Sequence, residues 1–238
     1  MRINQFLAKN GWGARRKVEE IILSGRVKVN GNTLTDLSYR VEEGDNVLVD
    51  GKNALAAASD LRSQILAFHK PKGYLTSHED KHNENLIFDL LPEAYKKFNY
   101  AGRLDLDSRG LILLSNDGGF IQKITHPSFK IEKDYIVTLN KAVEVKSIAE
   151  EFTLGVREGG ETLRAFKVQD AFPKPGKTQS NHLRVTLLEG KKRQIRRMFH
   201  SKHLSVIDLF RTRIGRFDLE KVAIEEGSFL EISEDDII

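Results

Sequence analysis

Two carboxylates and two arginines fall within nine residues of this chain, Gly102-Arg103-Leu104-Asp105-Leu106-Asp107-Ser108-Arg109-Gly110. The apolar run Leu111-Ile112-Leu113-Leu114 follows directly and reads as a buried strand, and Ser115-Asn116-Asp117-Gly118 reads as the turn that closes it. A charged loop tied to a buried strand suits a fixed catalytic carboxylate, because the scaffold holds the residue while the loop exposes it. Asp105 and Asp107 admit four uses. Together they could bind Mg²⁺. As a glycosidase pair they would have to face one substrate atom, whereas residues i and i+2 of a strand-like loop point apart. One of them could act alone as nucleophile or base, kept ionised by the arginines. Or each could cap backbone amides in a turn, the usual fate of a loop aspartate.

Other chemistries find less support. There is no Walker A motif, and no GxGxxG follows a strand. The seven histidines show no zinc-protease spacing; His200 and His203 lie three apart on a helix without a cluster of acids and read as surface residues. No nucleophile-elbow pattern is present. The chain has no cysteine, which excludes disulfides and thiolate metal sites and fits a reducing cytoplasm. No apolar stretch approaches the roughly 20 residues of a membrane helix, and residues 1–6 lack a signal-like apolar core. A cytoplasmic protein with no membrane partner is expected.

The 238 residues suit one ordinary domain plus a small one, and their net charge of +4 is unevenly spread. Residues 1–40 carry eight basic residues against three acids, net +5. Residues 184–216 carry ten against Glu189 and Asp208, net +8, so the remainder is net −9. Two basic segments on an otherwise acidic chain point to a polyanion, with nucleic acid ahead of merely solvated helix faces.

The elements that must position these groups follow from periodicity. Ile3, Phe6 and Leu7 share one helix face and Val18, Ile21 and Ile22 another; Ser24-Gly25 ends the second helix. Arg26-Val27-Lys28-Val29 alternates as a strand into an Asn30-Gly31 turn, and Val47-Leu48-Val49 supplies a later strand. Residues 1–50 therefore form a small module, residues 51–61 a linker, and residues 62–238 the main domain. In the latter, residues 65–68, 135–139 and 182–188 read as strands and 120–126, 145–152 and 193–203 as helices. Without a regular βαβ beat, the fold class is α+β.

The first module, with Arg15, Arg16, Lys17 and Arg26 on its polar side, resembles the S4-type RNA-binding domain; Ala14 stands where that pattern usually has a helix-capping serine. The main domain carries four motifs in family order. They are His69-Lys70-Pro71-Lys72-Gly73, the acidic loop with its strand, Lys133-Asp134-Tyr135-Ile136-Val137, and Glu189-Gly190 leading to Gln194-Ile195-Arg196-Arg197-Met198. With the S4-type domain in front, the chain resembles the ribosomal-RNA pseudouridine synthases of the RsuA/RluB/RluF branch.

That resemblance implies a mixed, mainly antiparallel sheet and conversion of an RNA uridine to its C-glycoside isomer, without cofactor or metal. Asp105 would be the catalytic aspartate, adding to C1′ or removing the 2′ proton. Tyr135 would stack on the uracil, and Ile195 would wall the pocket. Arg196 would pair with Asp105, keep it ionised and orient it, with Arg197 as its understudy. Arg103 would contact RNA or fill the gap left by a flipped nucleotide. Lys191, Lys192 and Arg193 would meet phosphates. The partner would be ribosomal RNA or an assembly intermediate, and the enzyme a monomer. Two departures stand out: His203 where the family often has glycine, so that a different closure of the last helix is expected, and Asp208 where a basic residue is frequent. The rival functions are a non-catalytic ribosome-assembly factor and a metal-dependent phosphohydrolase built on Asp105 and Asp107.

Overall fold

The computed structural model describes residues 1–13, 15–55 and 63–238, with only the backbone at Arg15. The chain divides into two compact units, Met1–Ser63 with Asp117–Gly119, and Gln64–Asn116 with Phe120–Ile238.

The first unit runs α1 (Ile3–Lys9), α2 (Arg15–Leu23), β1 (Val27–Val29), β2 (Asn32–Leu34), β3 (Val47–Val49) and β4 (Lys52–Asn53). Its antiparallel sheet has the order β2-β1-β3-β4. The β1–β2 turn sets Asn30 and Gly31 at φ of 51° and 86°, the paired left-handed geometry that an Asn-Gly hairpin favours. Ile3, Leu7, Val18, Ile22, Val27 and Val49 are fully buried and make the core. Lys52 and Asn53, expected in the linker, pair with Val49 and Leu48 as an edge strand instead. The alanine-rich remainder of that expected linker and the helix start at Ala14 lie outside the described residues.

The second unit runs β5 (Ile65–Lys70), β6 (Asn99–Tyr100), β7 (Arg109–Ser115), α3 (Gly118–Thr125), β8 (Lys133–Glu144), α4 (Val145–Leu154), β9 (Val156–Glu158), β10 (Glu161–Leu163), β11 (Lys167–Asp170), β12 (Gln179–Leu187), α5 (Gln194–His200), β13 (Val206–Ile214), β14 (Phe217–Asp218) and β15 (Phe229–Ile232). The main sheet has the order β11-β12-β8-β13-β7-β5-β15, with β9 and β10 forming a separate hairpin. Its pairings are antiparallel except β13 with β7, which is parallel. This is the mixed, mainly antiparallel α+β architecture that the sequence implies.

Strand β7 is continuously apolar from Leu111 to Leu114 because it feeds two cores. Ile112 and Leu114 face one side with Leu66 and Phe68, while Leu111 and Leu113 face the other with Ile65 and Ala67. Burying each such side chain is worth about 1.5–3 kcal/mol. Helices α4 and α5 add Ile148, Phe152, Ile195, Met198 and Phe199 to the first core, where Phe152 and Phe199 meet edge-on at 4.9 Å. Phe120 and Ile124 of α3 join the second core.

The last helix is shorter than the sequence pattern suggests, and it does not close differently. His203 adopts the left-handed φ of 55° that a glycine would take, and the Leu204 N–H returns to the Phe199 carbonyl at 3.1 Å. Strand β13 is not foreseen in the sequence at all. It meets β7 with Arg211 opposite Gly110, and Gly110 sits at φ 115°. A Cβ there would lie 2.2 Å from the Arg211 carbonyl oxygen. Gly110→Ala is therefore expected to cost about 2–4 kcal/mol from clash and backbone strain together. Urea denaturation measures this, and an alanine variant of wild-type stability would contradict the close approach.

Candidate active site

The acidic loop is held by the turn that follows β5. Lys70 is fully buried, and its Nζ donates to the carbonyls of Pro71 at 3.0 Å, Asp105 at 3.1 Å and Ser108 at 2.6 Å. The Gly73 N–H donates to the Leu106 carbonyl at 2.8 Å, and the Thr76 hydroxyl donates to that of Leu104 at 3.1 Å. Four carbonyls of the loop, those of Leu104, Asp105, Leu106 and Ser108, are thus held by residues 70–76. Burial lowers the Lys70 ammonium to about 8, although Asp107 and Asp105 pull it upward.

Residues 105–108 form a tight turn, closed by the Ser108 N–H on the Asp105 carbonyl at 3.0 Å. The strand-like loop that would point the two carboxylates apart is therefore absent. Both carboxylates reach one guanidinium: Arg193 lies 3.1 Å from Asp105 and 3.6 Å from Asp107. Arg196 does not pair with Asp105. Its Nη2 meets the Asp107 carboxylate at 3.1 Å, and it donates to the Asp107 carbonyl and the Ser108 hydroxyl at 3.2 and 3.3 Å. Its Nη1 donates to the Val206 carbonyl at 2.9 Å. The reason is placement on the helix: Arg193 precedes α5 in a left-handed conformation with φ of 50° and projects over the loop, whereas Arg196 lies lower, against the loop backbone and β13.

A cavity of about 230 Å³ opens beside the loop. Asp105, Arg103, Tyr135, Ile195, Lys191 and Arg193 line it, together with Lys133, Leu187, Leu209 and Arg211, which sequence reasoning did not assign to a site. Tyr135 and Arg211 are register partners across β8 and β13, with the guanidinium 6.0 Å from the ring centroid. Tyr135 is also part of the core, so its structural and site roles coincide. Lys133 donates to the carbonyls of Ile124 and Ile131, and burial, followed by the charge of Arg211, lowers it to about 8. The one signal for Lys133 lay in the Lys-x-Tyr motif; for Arg211 there was only a basic residue in a charged stretch.

The basic segments are less available than their charge suggests. Arg197 pairs with Glu161, Arg184 with Glu220, Lys202 with Glu151, and Arg213 with Glu132 and Asp134. Lys191 donates to the Thr162 carbonyl, and Lys192 is exposed. In the first unit Arg16 is exposed, Lys17 pairs with Glu20 at 3.2 Å, and the Asp50 carboxylate accepts from both Nε and Nη2 of Arg26. Asp208, standing where the family often has a basic residue, joins Lys72 at 2.6 Å and Arg109 at 3.1 Å. Burial raises its carboxyl, but the hydrogen bonds from Lys72 and Arg109 outweigh this and hold it below the ordinary aspartate value. Among the described residues no group of three or more His, Cys, Asp and Glu is gathered for a metal, and no helix is long and apolar enough to cross a membrane.

Comparison with known proteins gives a consistent picture. The sequence model of the family described as RNA pseudouridylate synthase matches residues 64–201, and that of the S4 domain matches residues 1–47. A ribosomal large subunit pseudouridine synthase B of Bacillus subtilis is 33% identical over 92% of this chain and 87% of its own length. An uncharacterized RNA pseudouridine synthase of Aquifex aeolicus is 31% identical over 100% of this chain and 94% of its own. The chain spans only 48% of a 31% identical relative from Xanthomonas campestris, again a ribosomal large subunit pseudouridine synthase B. A crystal structure of a pseudouridylate synthase superposes with a TM-score of 0.69 at 26% identity, covering 99% of this chain and 97% of that one.

The Lys70 clamp has a direct consequence. Below pH about 8 the ammonium is present in native and unfolded chains alike, and its burial cost is fully in place. Between about 8 and 10.5 the native state gives up the proton first, so this group's contribution to stability rises with pH while the loop loses one donor. Turnover is accordingly expected to fall above pH about 8. Lys70→Met should lower kcat about 10-fold or more through a displaced loop, with RNA affinity unchanged. Single-turnover rates and filter binding check this, and a Lys70→Met enzyme at full rate would make the clamp dispensable.

Proposed function

This chain belongs to the RNA pseudouridylate synthase family and is a pseudouridine synthase; we propose that it isomerises a specific uridine of ribosomal RNA, with Asp105 acting on the ribose and no cofactor taking part. The observation that carries this reading is a single one: the partly exposed carboxylate of Asp105, held by Arg193, stands at a cavity roomy enough for a flipped base, with Tyr135 in its wall. Flipping is required because C1′ of a stacked nucleotide is out of reach. The base would enter with its face on Tyr135, since an aromatic plate accepts a pyrimidine by stacking. Ile195 would close the apolar side of the pocket. Arg103, exposed at the rim, would contact the RNA or occupy the vacated place in the stack.

The carboxylate then either adds to C1′ or removes the 2′ proton as the N1–C1′ bond breaks. The base turns, and C5 bonds to C1′. The conversion is redox-neutral, so its chemistry calls for no electron carrier. Ribosomal RNA is favoured as substrate by the names of the relatives and by the S4 domain, which presents Arg16 and Lys17 to solvent. A tethered second RNA-binding unit raises the effective concentration of the cavity at its target. We take the enzyme to act as a monomer on ribosomal RNA or an assembly intermediate.

A metal-dependent phosphohydrolase fits the same residues poorly. Asp105 and Asp107 face Arg193 and Arg196, cations standing where a divalent ion would need oxygen ligands. Carbodiimide mapping with primer extension tests the proposal. Unmodified small- and large-subunit RNA, and immature particles, are incubated with wild-type and Asp105→Asn protein. One new stop that the variant loses is expected, with RNA binding retained within about twofold because phosphate contacts lie elsewhere. An Asp105→Asn enzyme that still isomerises uridine would remove Asp105 from the chemistry, and no stop on any substrate would remove ribosomal RNA.

A further inference from the structure

Arg211 is 2% exposed, and among the described residues it forms no ion pair. Its Nε donates to the Leu111 carbonyl at 2.6 Å, which fixes the plane of the guanidinium, while its Nη2 is buried without a hydrogen-bond partner. Burying a cation without a counter-charge, with one donor orphaned, is strongly unfavourable unless something repays it. The group is nevertheless placed deliberately. Leu209 and Arg211 share one side of β13, both line the cavity, and Tyr135 is the cross-strand partner of Arg211. The cavity's carboxylate, Asp105, is bonded to Arg193 instead. Lys133 lies on the same floor, and the charge of Arg211 is part of what depresses its ammonium. The bottom of the cavity is positive, lined by an arginine that has no anion paired to it and whose Nη2 donor is unused.

We propose that the missing counter-charge is the uracil itself once it is detached, and that Arg211 Nη2 donates to one of its carbonyl oxygens. The inference rests on the reading of the site given above. When the N1–C1′ bond breaks, its electron pair stays on N1, and the base departs as a monoanion delocalised over O2 and O4. C1′ is made whole by Asp105, through a new C1′–O bond or through loss of the 2′ proton to the carboxylate. After the ring turns, C5 supplies the pair that bonds to C1′, as the C1′–O bond breaks and frees the Asp105 carboxylate on the first route, or as Asp105 returns the proton to C2′ on the second. The C5 proton is lost and N1 takes one up, so atoms and electrons balance. A fixed, water-excluded cation beside O2 or O4 stabilises the charge only while it exists, which accelerates cleavage without tightening the ground state. A guanidinium also serves either carbonyl as the ring turns, because its donors are spread over a plane.

The test compares single-turnover rates of wild-type, Arg211→Gln and Arg211→Lys enzymes on RNA carrying uridine or 5-fluorouridine at the target. Fluorine at C5 makes the departing uracil anion more stable, so its release needs less help. It blocks the final proton loss but not the transfer of C1′ from N1 to C5, which is scored by nuclease digestion and mass spectrometry. Arg211→Gln should lose about 10²–10³-fold on uridine RNA, as expected for removal of a charge-stabilising donor. RNA affinity should stay within about threefold, because phosphate contacts lie elsewhere. The loss on 5-fluorouridine RNA should be at least tenfold smaller, and Arg211→Lys should recover part of the rate. An equal deficit on both RNAs would reduce Arg211 to a structural residue and overturn the proposal, as would Arg211→Gln turning over uridine RNA within threefold of wild type. Should the glutamine variant not fold, the structure of wild-type enzyme trapped on 5-fluorouridine RNA decides: Nη2 must stand within about 3.2 Å of base O2 or O4, and a base held with Arg211 turned away sinks the inference. A wild-type enzyme inactive on both RNAs would overturn the underlying reading of the site, and this one with it.

Discussion

The buried ammonium of Lys70 is the interaction on which the acidic loop depends. Loops carry backbone carbonyls that must be satisfied, and a loop against a sheet cannot rely on water for all of them. Here a single cation takes three, from Pro71, Asp105 and Ser108. The cost of desolvating it is visible in its depressed affinity for a proton. What that cost secures is geometry: the backbone at Asp105 is defined from beneath, so its side chain can stand partly in solvent without the loop wandering. The motif around Lys70 and the motif around Asp105, 35 residues apart, are therefore two halves of one device.

The second constraint is the parallel junction of β7 with β13. It brings Arg109 and Gly110, just after the acidic loop, against Phe210 and Arg211. Only a residue without a Cβ lets the two backbones come so close. Arg109 then closes the junction at the surface, stacked over Phe210 at 4.1 Å and paired with Asp208 and Glu226. Asp208 in turn holds Lys72, on the same turn as the clamp. The loop is thus tied to β5 on one flank and to β13 on the other, and the cavity forms between them because α5 roofs the sheet with Ile195 and Gln194.

Much of this was legible in the sequence. The strand of Leu111 to Leu114, the alternation of the first module, the apolar faces of three helices and the loop with Asp105 all follow from periodicity and turn chemistry. Two things were hidden. Strand β13, Val-Ile-Asp-Leu-Phe-Arg-Thr-Arg-Ile, mixes charges into a buried element, Arg213 paired with Asp134 and Arg211 resting one donor on the Leu111 carbonyl, so it reads as part of a basic patch. The partner of Asp105 was hidden as well. Arg193 and Arg196 are three apart, and which one reaches the carboxylate depends on the left-handed turn at Arg193, which no spacing rule reveals.

That exchange of partners has a physical meaning. The side chains of Arg193 and Asp105 are 44% and 36% exposed, so their pair is bathed in solvent and worth about 0–1 kcal/mol. Arg196 is 12% exposed and spends its donors on two carbonyls and a hydroxyl as well as on Asp107. One arginine is a lock and the other a latch. Arg196 keeps the loop in shape whether or not a substrate is present. Arg193 restrains the Asp105 carboxylate so weakly that an incoming phosphate, competing for the same guanidinium, could release it at little cost. Pairing of the Asp105 carboxylate with the more exposed arginine thus leaves it oriented but only weakly held.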